Sequence, residues 1–443
     1  MTELSGKFYT DTNGNTEFPL RNRQAFMLRL EQQALEKYGK REGNGNCGQG
    51  MRVRFPIDEK RLEKAIRRVI NENDALRLIL VDKKNTPIPQ VDNMMQKVVL
   101  DPEFTLETYT VNGDTEEERL AAAVEVAKNE MHKAIDYFNE LSIKLFLIKM
   151  AEDDYLLVWI AHHWIGDGST SGLVLDQVFR YYSDPDAETL PHASFIDFIS
   201  EEKEFLNTEK GQKQLEYWRS EVDGYELLDL SRAAIGEPGT GEDQFYKIPM
   251  ADPERVSKKF NTSCFNVILL GYHLGVSILL DTKDTIIGVT SANRMNKKYF
   301  HTMGYFAHST QHRIIAEDSD RLSDLIELSK NKFSSNMANL QTAYYYDKMQ
   351  FCLTYQNFVA GTKTKEQNIT PVSIPSKRVV DQFFMLVFEG DTDMTFVMVG
   401  NGNIFTTEFD RSLKRYIELT VELLENDPDA TVADLKKRFS DAE

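Results

Sequence analysis

The chain has 443 residues, which exceeds the usual size of one hydrophobic core and predicts two domains. Apolar residues make up 41% and aromatic residues 11%, and this content excludes an intrinsically disordered chain. The formal net charge of -18 excludes a general attraction to nucleic acid or to an anionic membrane, so we expect neither as a partner.

The cysteines and the N-terminal segment bear on the compartment. Cys47, Cys264 and Cys352 show no metal-ligand spacing and are odd in number, which predicts reduced thiols. The first residues lack the basic start and apolar core of a signal peptide. The longest apolar stretch, residues 264–280, falls short of the ~20 apolar residues that a membrane span needs. We therefore predict a soluble, cytoplasmic protein.

The first half of the chain predicts both helices and strands. Residues 59–77 carry apolar side chains at helical spacing, and residues 115–134 predict a second helix with an acidic first turn. Residues 141–150 alternate as a strand does. Residues 155–163 are apolar on both faces, which predicts the central second strand of a hairpin.

The second half repeats this mixture after a connector predicted at residues 182–193. A polar helix is predicted at about 197–221. Further helices and strands follow in alternation, at 254–281 (helix), 284–292 (strand), 320–340 (helix), 350–358 and 382–401 (strands), and from Asp410 onward (helix). Interleaved helices and strands in both halves predict an α/β fold.

The segment AHHWIGDGST, residues 161–170, concentrates the polar chemistry. Side chains alternate across a strand, so His163 shares a face with Trp159 and Ala161 while His162 points to the opposite face. The two rings therefore cannot both reach one cavity. At most one of them is a functional residue, and the other is structural.

The residues after the histidines predict a turn and a helix. Asp167 and Gly168 favour the turn, and Ser169 or Thr170 is a suitable cap for the helix that follows. The unpaired N–H groups of a helix N-terminus create a region of positive potential. An imidazole such as that of His163 beside this region suits general-base chemistry, because its pKa lies near neutrality.

The residues alone leave three interpretations open. The first is a buried histidine pair whose hydrogen bonds are satisfied. The second is a metal site formed by His162, His163 and Asp167, although adjacent strand residues diverge and no third histidine or cysteine lies nearby in sequence. The third is a catalytic histidine held by a turn.

His162, His163, Asp167 and Gly168 form the pattern HHxxxDG at the end of a buried strand. This pattern resembles the signature of condensation domains of nonribosomal peptide synthetases, whose superfamily includes chloramphenicol acetyltransferase. Further segments resemble family landmarks in the same order along nearly the whole chain, at Gln24-Ala25, Leu76-Arg77, Tyr217-Trp218, Asn293-Arg294, Gly304 and Phe306.

The resemblance implies an α/β sandwich fold with two chloramphenicol-acetyltransferase-like halves, arranged in a V with the active-site tunnel between them. Residues 1–180 would form the half that carries HHxxxDG, and residues 181–443 the other half. Two departures leave the donor and acceptor types open, and they also leave room for an inactive member. A His-Gln…Pro-Phe-Glu segment of the second half is absent, and His308 stands where an asparagine is common.

The implied reaction is the transfer of an acyl or peptidyl group from a donor carrier-protein thioester to the amine of an acceptor aminoacyl thioester. The phosphopantetheine arms belong to the donor and acceptor carrier proteins, so we expect no cofactor and no metal bound by this chain. An adjoining adenylation domain is a possible further partner, and we expect a monomer. The resemblance leaves open whether the chain acts alone or within a synthetase.

The resemblance also implies a role for each residue of the site. His163 is the catalytic residue, acting as a base or by positioning the amine, and His162 packs inside the first half. Asp167 is structural, and Arg294 is its expected partner through a bidentate pair. The N–H group of Gly168 is a candidate for binding the oxyanion.

Other functions are compatible with the same residues. The same histidine suits an O-acyltransferase that forms esters, and a non-catalytic carrier-recruiting domain or an epimerisation relative would share the fold. The intact HHxxxDG pattern argues against a decayed site. Arg21 and Arg23, or Lys297 and Lys298, are candidate basic patches for docking acidic carrier proteins.

Overall fold

The computed structural model describes residues 8–39, 45–84, 90–234, 236–237, 239–342, 346–356, 368–375 and 382–441. The helices within these ranges are α1 (Asn22–Tyr38), α2 (Glu59–Glu72), α3 (Glu116–Met131), α4 (Gly168–Ser183), α5 (Phe195–Leu206), α6 (Glu209–Val222), α7 (Ala251–Lys259), α8 (Cys264–Leu279), α9 (Leu322–Ala338), α10 (Thr407–Asn426) and α11 (Val432–Ser440).

The strands within the same ranges are β1 (Phe18–Pro19), β2 (Asn46–Val53), β3 (Leu78–Asp82), β4 (Met94–Val98), β5 (Glu107–Thr110), β6 (Ile143–Ala151), β7 (Asp154–His162), β8 (Gln244–Pro249), β9 (Asp284–Ser291), β10 (His308–Ile315), β11 (Phe351–Gln356), β12 (Ile369–Val372), β13 (Phe383–Glu389) and β14 (Asp393–Val399). Helices and strands alternate along the chain, and the predicted mixed α/β class is confirmed.

The chain divides into two compact units. Unit 1 contains Met1–Phe205, Arg294–Ala307 and Ala360–Ser376, and unit 2 contains the remaining segments. Relative to the predicted halves 1–180 and 181–443, unit 1 therefore also includes residues 181–205 and two segments from later in the chain.

Unit 1 is built on a five-stranded sheet in the order β12-β2-β7-β6-β5. The predicted hairpin is present, because β6 and β7 pair antiparallel and β7 also pairs with β2 on its other side. A second, three-stranded sheet has the order β1-β4-β3.

Strand β7 is apolar on both faces because both faces are covered. Its even-numbered residues from Leu156 to Ile160 lie in one core cluster with Ala123 and Ala127 of α3. Its odd-numbered residues from Leu157 to Ala161 lie in a second cluster with residues of α2 and α4. This burial on both sides accounts for the continuous apolar run from which the central strand was predicted.

Unit 2 is built on a six-stranded mixed sheet in the order β10-β9-β11-β13-β14-β8. Strand β11 pairs parallel with both β9 and β13, whereas the other pairs are antiparallel. Residues of α8 and α10 share one core cluster with this sheet, and a further cluster joins residues of α7, α8, α9, α10 and α11.

Two long helices predicted from the sequence are each two helices in the structure. The prediction of one helix at about 197–221 is wrong, because Thr208 ends the first run and accepts a hydrogen bond from Gly211 N as the N-cap of α6. The prediction of one helix at 254–281 is also wrong, because Ser263 caps α8 through Asn266 N. Each break therefore lies at a local capping residue.

Helices α7 and α8 meet at an angle of 100°. Among the described residues, no helix by itself has both the length and the apolar composition of a membrane span, and α7 and α8 meet that criterion only as a pair.

Candidate active site

The end of β7 separates the two histidines. His162 is the last residue of the strand and is 2% exposed, whereas His163 follows it and is partly exposed. The backbone N–H of His163 donates to Gly45 O at 2.7 Å. The two side chains therefore lie in different environments, as the alternation of the strand predicts.

The His162 ring is enclosed by contacts within unit 1. Its Nδ1 accepts a hydrogen bond from Trp164 N at 3.1 Å, and its Nε2 lies 3.0 Å from Glu31 Oε1. The ring also packs edge-on against Tyr137, with ring centroids 5.5 Å apart. This environment is typical of a structural histidine.

The His163 ring packs against the ring of Tyr305, with centroids 4.5 Å apart and planes tilted by 43°. Tyr305 is 1% exposed, and its hydroxyl accepts a hydrogen bond from Arg23 Nε at 2.9 Å. Burial raises the pKa of Tyr305, so the phenol is neutral beside His163. The imidazole of His163 thus rests on an aromatic surface that Arg23 holds in place.

Asp167 is the N-cap of α4, and the prediction that Ser169 or Thr170 caps this helix is wrong. Its Oδ1 accepts from Thr170 N at 2.9 Å, the bond expected of a capping aspartate. Its Oδ2 accepts from the backbone N–H groups of Phe306 and Ala307 at 3.0 and 2.9 Å. The side chain is almost fully buried and hydrogen-bonded through both oxygens.

Arg294 reaches Asp167, but the pair is not bidentate as expected. Its Nη2 lies 3.4 Å from Asp167 Oδ1, while its Nη1 donates to the carbonyl oxygens of Tyr299 and Thr302 at 2.9 and 2.5 Å. The guanidinium also lies over the ring of Phe306, 4.2 Å from its centroid. The fork of Arg294 is directed mainly at backbone carbonyls, and this leaves a single end-on contact for the carboxylate.

Gly168 is the first residue of α4 and is exposed. The first N–H groups of a helix have no intrahelical acceptor, and they carry partial positive charge. The structure therefore leaves the N–H of Gly168 at a position that suits a developing negative charge.

Thr170 connects α4 to the segment that follows Arg294. Its hydroxyl donates to Gly304 O at 2.7 Å and accepts from Gly304 N at 3.0 Å. Gly304 has a φ of +150°, and a Cβ at this position would lie 2.3 Å from the Phe195 ring. Glycine is therefore required where this segment crosses the α4 N-terminus.

Arg21 and Arg23 are not surface residues, and their interpretation as a docking patch is wrong. They are 2% and 9% exposed. Arg21 donates to the carbonyl oxygens of Tyr305 and Phe306 and also pairs with Glu202. Both arginines therefore stabilise the segment that carries Tyr305. The second predicted patch, Lys297 and Lys298, is exposed and stays a prediction.

The structure brings His162, His163, Asp167, Gly168 and Arg294 into one region of unit 1. In the described part of the chain, no group of three His, Cys, Asp or Glu side chains is arranged to hold a metal ion.

Sequence reasoning missed three residues of this region, Glu31, Gly45 and Tyr305. They contact the histidines from more than 110 residues away in sequence. The alignment of Gly304 and Phe306 with a family landmark was the one signal that pointed to the neighbourhood of Tyr305.

Comparisons with known sequences give a consistent result. A family model described as the condensation domain matches residues 40–370. A linear gramicidin synthase of Brevibacillus parabrevis is 23% identical over 281 residues, which is 60% of this chain and 5% of that protein. Surfactin synthase subunit 1 of Bacillus subtilis (strain 168) is 22% identical over 402 residues, 85% of this chain and 10% of that protein. The chain thus spans only a small part of these curated relatives.

Comparisons with solved structures agree on the fold. The condensation domain from monacolin K polyketide synthase has a TM-score of 0.77 at 17% identity, covering 95% of this chain and 100% of that one. The X-domain from teicoplanin biosynthesis has a TM-score of 0.78 at 13% identity, covering 96% of this chain and 98% of that one. At these identities, the likeness shows the fold alone.

Proposed function

The chain belongs to the condensation domain family, whose function in nonribosomal peptide synthesis is amide bond formation, and we propose that this chain catalyses that reaction. The donor is an acyl or peptidyl thioester on one carrier protein, and the acceptor is the amine of an aminoacyl thioester on another. The amine attacks the thioester carbonyl carbon, the C–S bond breaks, and the proton lost by the amine ends on the departing thiol.

The observation that carries this proposal is the contrast between the two histidines. His162 is enclosed by protein contacts, whereas the neighbouring ring of His163 is partly exposed at the end of a rigid central strand. A rigidly anchored imidazole suits both candidate roles, proton acceptor and positioner of the amine. We therefore assign catalysis to His163 and a structural role to His162.

The remaining site residues support this ring. Asp167 caps α4 and fixes the peptide units of Phe306 and Ala307, next to Tyr305, and Arg294 holds the carbonyls of the same segment. The N–H of Gly168 is our candidate for stabilising the oxyanion of the tetrahedral intermediate. We assign Asp167 and Arg294 to structure, and Gly168 to the transition state.

The proposal includes the partners and the compartment. The thioester arms are phosphopantetheine groups carried by donor and acceptor carrier proteins, and the chain itself supplies no cofactor to this reaction. An adjoining adenylation domain would load the acceptor carrier. We propose a monomer acting in the cytoplasm. In keeping with a reducing compartment, no disulfide joins Cys47, Cys264 and Cys352 in the described structure.

A panel of loaded carrier proteins tests the reaction. Acyl- and aminoacyl-loaded donor carriers are each combined with acceptor carriers that bear either an amine or a hydroxyl group, and the products are detected by mass spectrometry. The proposal predicts an amide product on at least one amine acceptor, formed only when the chain is present.

Two other outcomes would replace the proposal. Products on hydroxyl acceptors alone would favour an O-acyltransferase that forms esters. Binding of loaded carriers without any product across the panel would favour a carrier-recruiting domain.

A further inference from the structure

Helix α1 contacts the residues on both sides of His163. Gln24 and Glu31 are seven residues apart on α1, which places them on one face of the helix, two turns apart. Gln24 Nε2 donates to Trp164 O at 2.9 Å, and Glu31 Oε1 lies 3.0 Å from His162 Nε2. The same helix face therefore fixes the residue before His163 and the residue after it.

Gly45 links Glu31 to the backbone of His163. The N–H of Gly45 donates to Glu31 Oε1 at 3.1 Å, and the carbonyl of Gly45 accepts the N–H of His163 at 2.7 Å. A Cβ on Gly45 would lie 2.2 Å from His162 Nε2 and 2.9 Å from Glu31 Oε1. One carboxylate oxygen thus contacts both the His162 ring and the residue that holds the His163 peptide.

The chemistry of Glu31 exceeds what helix packing requires. Glu31 is 4% exposed, and a buried carboxylate is costly unless its oxygens find polar partners. Because His162 Nδ1 accepts from Trp164 N, the proton of the neutral ring lies on Nε2, the nitrogen that faces Glu31. A carboxylate at this place favours that tautomer.

We infer that Glu31 is a positioning residue for His163, acting through its Oε1 on Gly45 and on the His162 ring. This inference rests on the proposed function, since it concerns the geometry of the proposed catalytic residue. Displacement of a catalytic group by about 1 Å costs on the order of 100-fold in rate. Loss of the Glu31 oxygen therefore lowers kcat while leaving KM for the carrier-bound substrates nearly unchanged.

Three substitutions separate the position of the oxygen from its charge. Glu31→Ala removes both, and Glu31→Gln keeps an oxygen in the Oε1 position without the charge. Glu31→Asp keeps the charge but withdraws it by about one C–C bond, roughly 1.5 Å. Glu36→Gln is the matched control, because Glu36 is exposed on the same helix and its Oε1 accepts from Gln32.

We expect kcat to fall on the order of 10- to 100-fold in Glu31→Ala and Glu31→Asp, in line with the cost of misplacing a catalytic group. Glu31→Gln and the Glu36→Gln control keep kcat close to that of the parent. A role confined to fold stability would instead rank the variants by melting temperature. If Glu31→Ala does not fold, the contrast between Glu31→Gln and Glu31→Asp decides the question.

A second readout does not depend on substrate. The amide proton of His163 is bonded to Gly45 O, so its hydrogen exchange reports directly on this anchor. We expect exchange at least ~10-fold faster in Glu31→Asp than in the parent, and unchanged exchange in Glu31→Gln and Glu36→Gln. NMR of selectively 15N-histidine-labelled protein measures both this exchange and the Nε2–H tautomer of His162.

The outcomes distinguish this inference from the proposed function. If the parent makes no product, the proposed function fails, and the exchange of the His163 amide still decides whether Glu31 holds that peptide. Parent-like kcat and parent-like His163 exchange in folded Glu31→Asp would overturn the inference. So would a loss of kcat in Glu31→Gln that Glu31→Asp does not show, because charge would then matter and position would not.

Discussion

Asp167 and Arg294 meet through one contact of 3.4 Å, from Nη2 to Oδ1, although both side chains are less than 10% exposed. Each spends most of its hydrogen-bonding capacity on the backbone. Asp167 accepts from the peptide N–H groups of Phe306 and Ala307, and Arg294 donates to the carbonyls of Tyr299 and Thr302. The pair therefore organises the 294–307 segment of unit 1 from both polarities of its peptide groups.

Asp167→Ala is expected to cost stability as well as activity. The substitution leaves the N–H groups of Phe306, Ala307 and Thr170 without their acceptor and leaves the Arg294 charge buried. Breaking a buried pair of this kind costs about 3–5 kcal/mol of the free energy of unfolding. Urea denaturation measures this change, and a parent-like unfolding midpoint would contradict the buried role of Asp167.

Arg294→Lys is expected to destabilise the protein despite conserving the charge. A single ammonium group cannot reproduce the planar fork that donates to two carbonyls and stacks on Phe306. We expect a loss of about 1–3 kcal/mol in the free energy of unfolding. Arg321→Lys is the control, because Arg321 is 54% exposed. Equal, negligible effects of the two substitutions would show that charge alone suffices at residue 294.

A buried hydrogen-bonded chain in unit 2 contains two neutral histidines. His312 Nε2 lies 3.0 Å from Ser329 O, which only accepts, so this nitrogen carries the proton. His312 Nδ1 then accepts from His273 Nε2 at 2.9 Å, and His273 Nδ1 accepts from the Thr285 hydroxyl at 2.7 Å. Burial lowers the pKa of both rings, that of His312 to about 4 and that of His273 well below its usual range.

These lowered pKa values predict acid sensitivity. Below pH 6.5 the unfolded histidines take up protons, while the folded His312 does so only near pH 4, so the free energy of unfolding falls as pH falls through this window. The contribution of His312 is on the order of 3 kcal/mol. We expect His312→Gln to flatten the dependence of urea stability between pH 6.5 and 4. An unchanged slope would contradict the neutral assignment.

Asp410 in α10 predicts the opposite pH dependence. Burial raises its pKa to about 7, so the folded carboxyl stays protonated at pH values where the unfolded one is ionised. The free energy of unfolding therefore falls as pH rises from about 4 to 7. We expect Asp410→Asn to stabilise the protein by about 2–3 kcal/mol more at pH 8 than at pH 5 in urea denaturation.

The control for this pH dependence is Asp391→Asn, at an exposed position. A stabilisation by Asp410→Asn that does not change with pH would show that the carboxyl of Asp410 is ionised in the folded protein.

The sequence predicts the elements whose signals are local. Helix α2 has a regular apolar stripe, and β7 has the uninterrupted apolar run of a strand covered on both faces. The two helix breaks were missed because apolar residues continue past Thr208 and Ser263, although both are favourable capping residues. Periodicity was given more weight than the capping signal, and the cap determines where the helix begins.

The site was predictable only as far as its motif extends. HHxxxDG lies within seven consecutive residues, and its strand, turn and helix follow from local patterns. Glu31 and Tyr305 have no such signal, because their contacts with the histidines arise only when distant segments pack together. The burial of Arg21 and Arg23 was missed for the same reason, since carbonyls and a carboxylate far along the chain provide their partners.

The most direct test of the account compares His163→Ala with His301→Ala in the amide-forming assay, at equal melting temperature. His301 is an exposed histidine of the same unit and serves as the matched control. Loss of the imidazole at residue 163 is expected to reduce turnover by at least about 100-fold, while the control stays at the parent rate. Parent-like turnover by folded His163→Ala would contradict the assignment of this ring to the reaction.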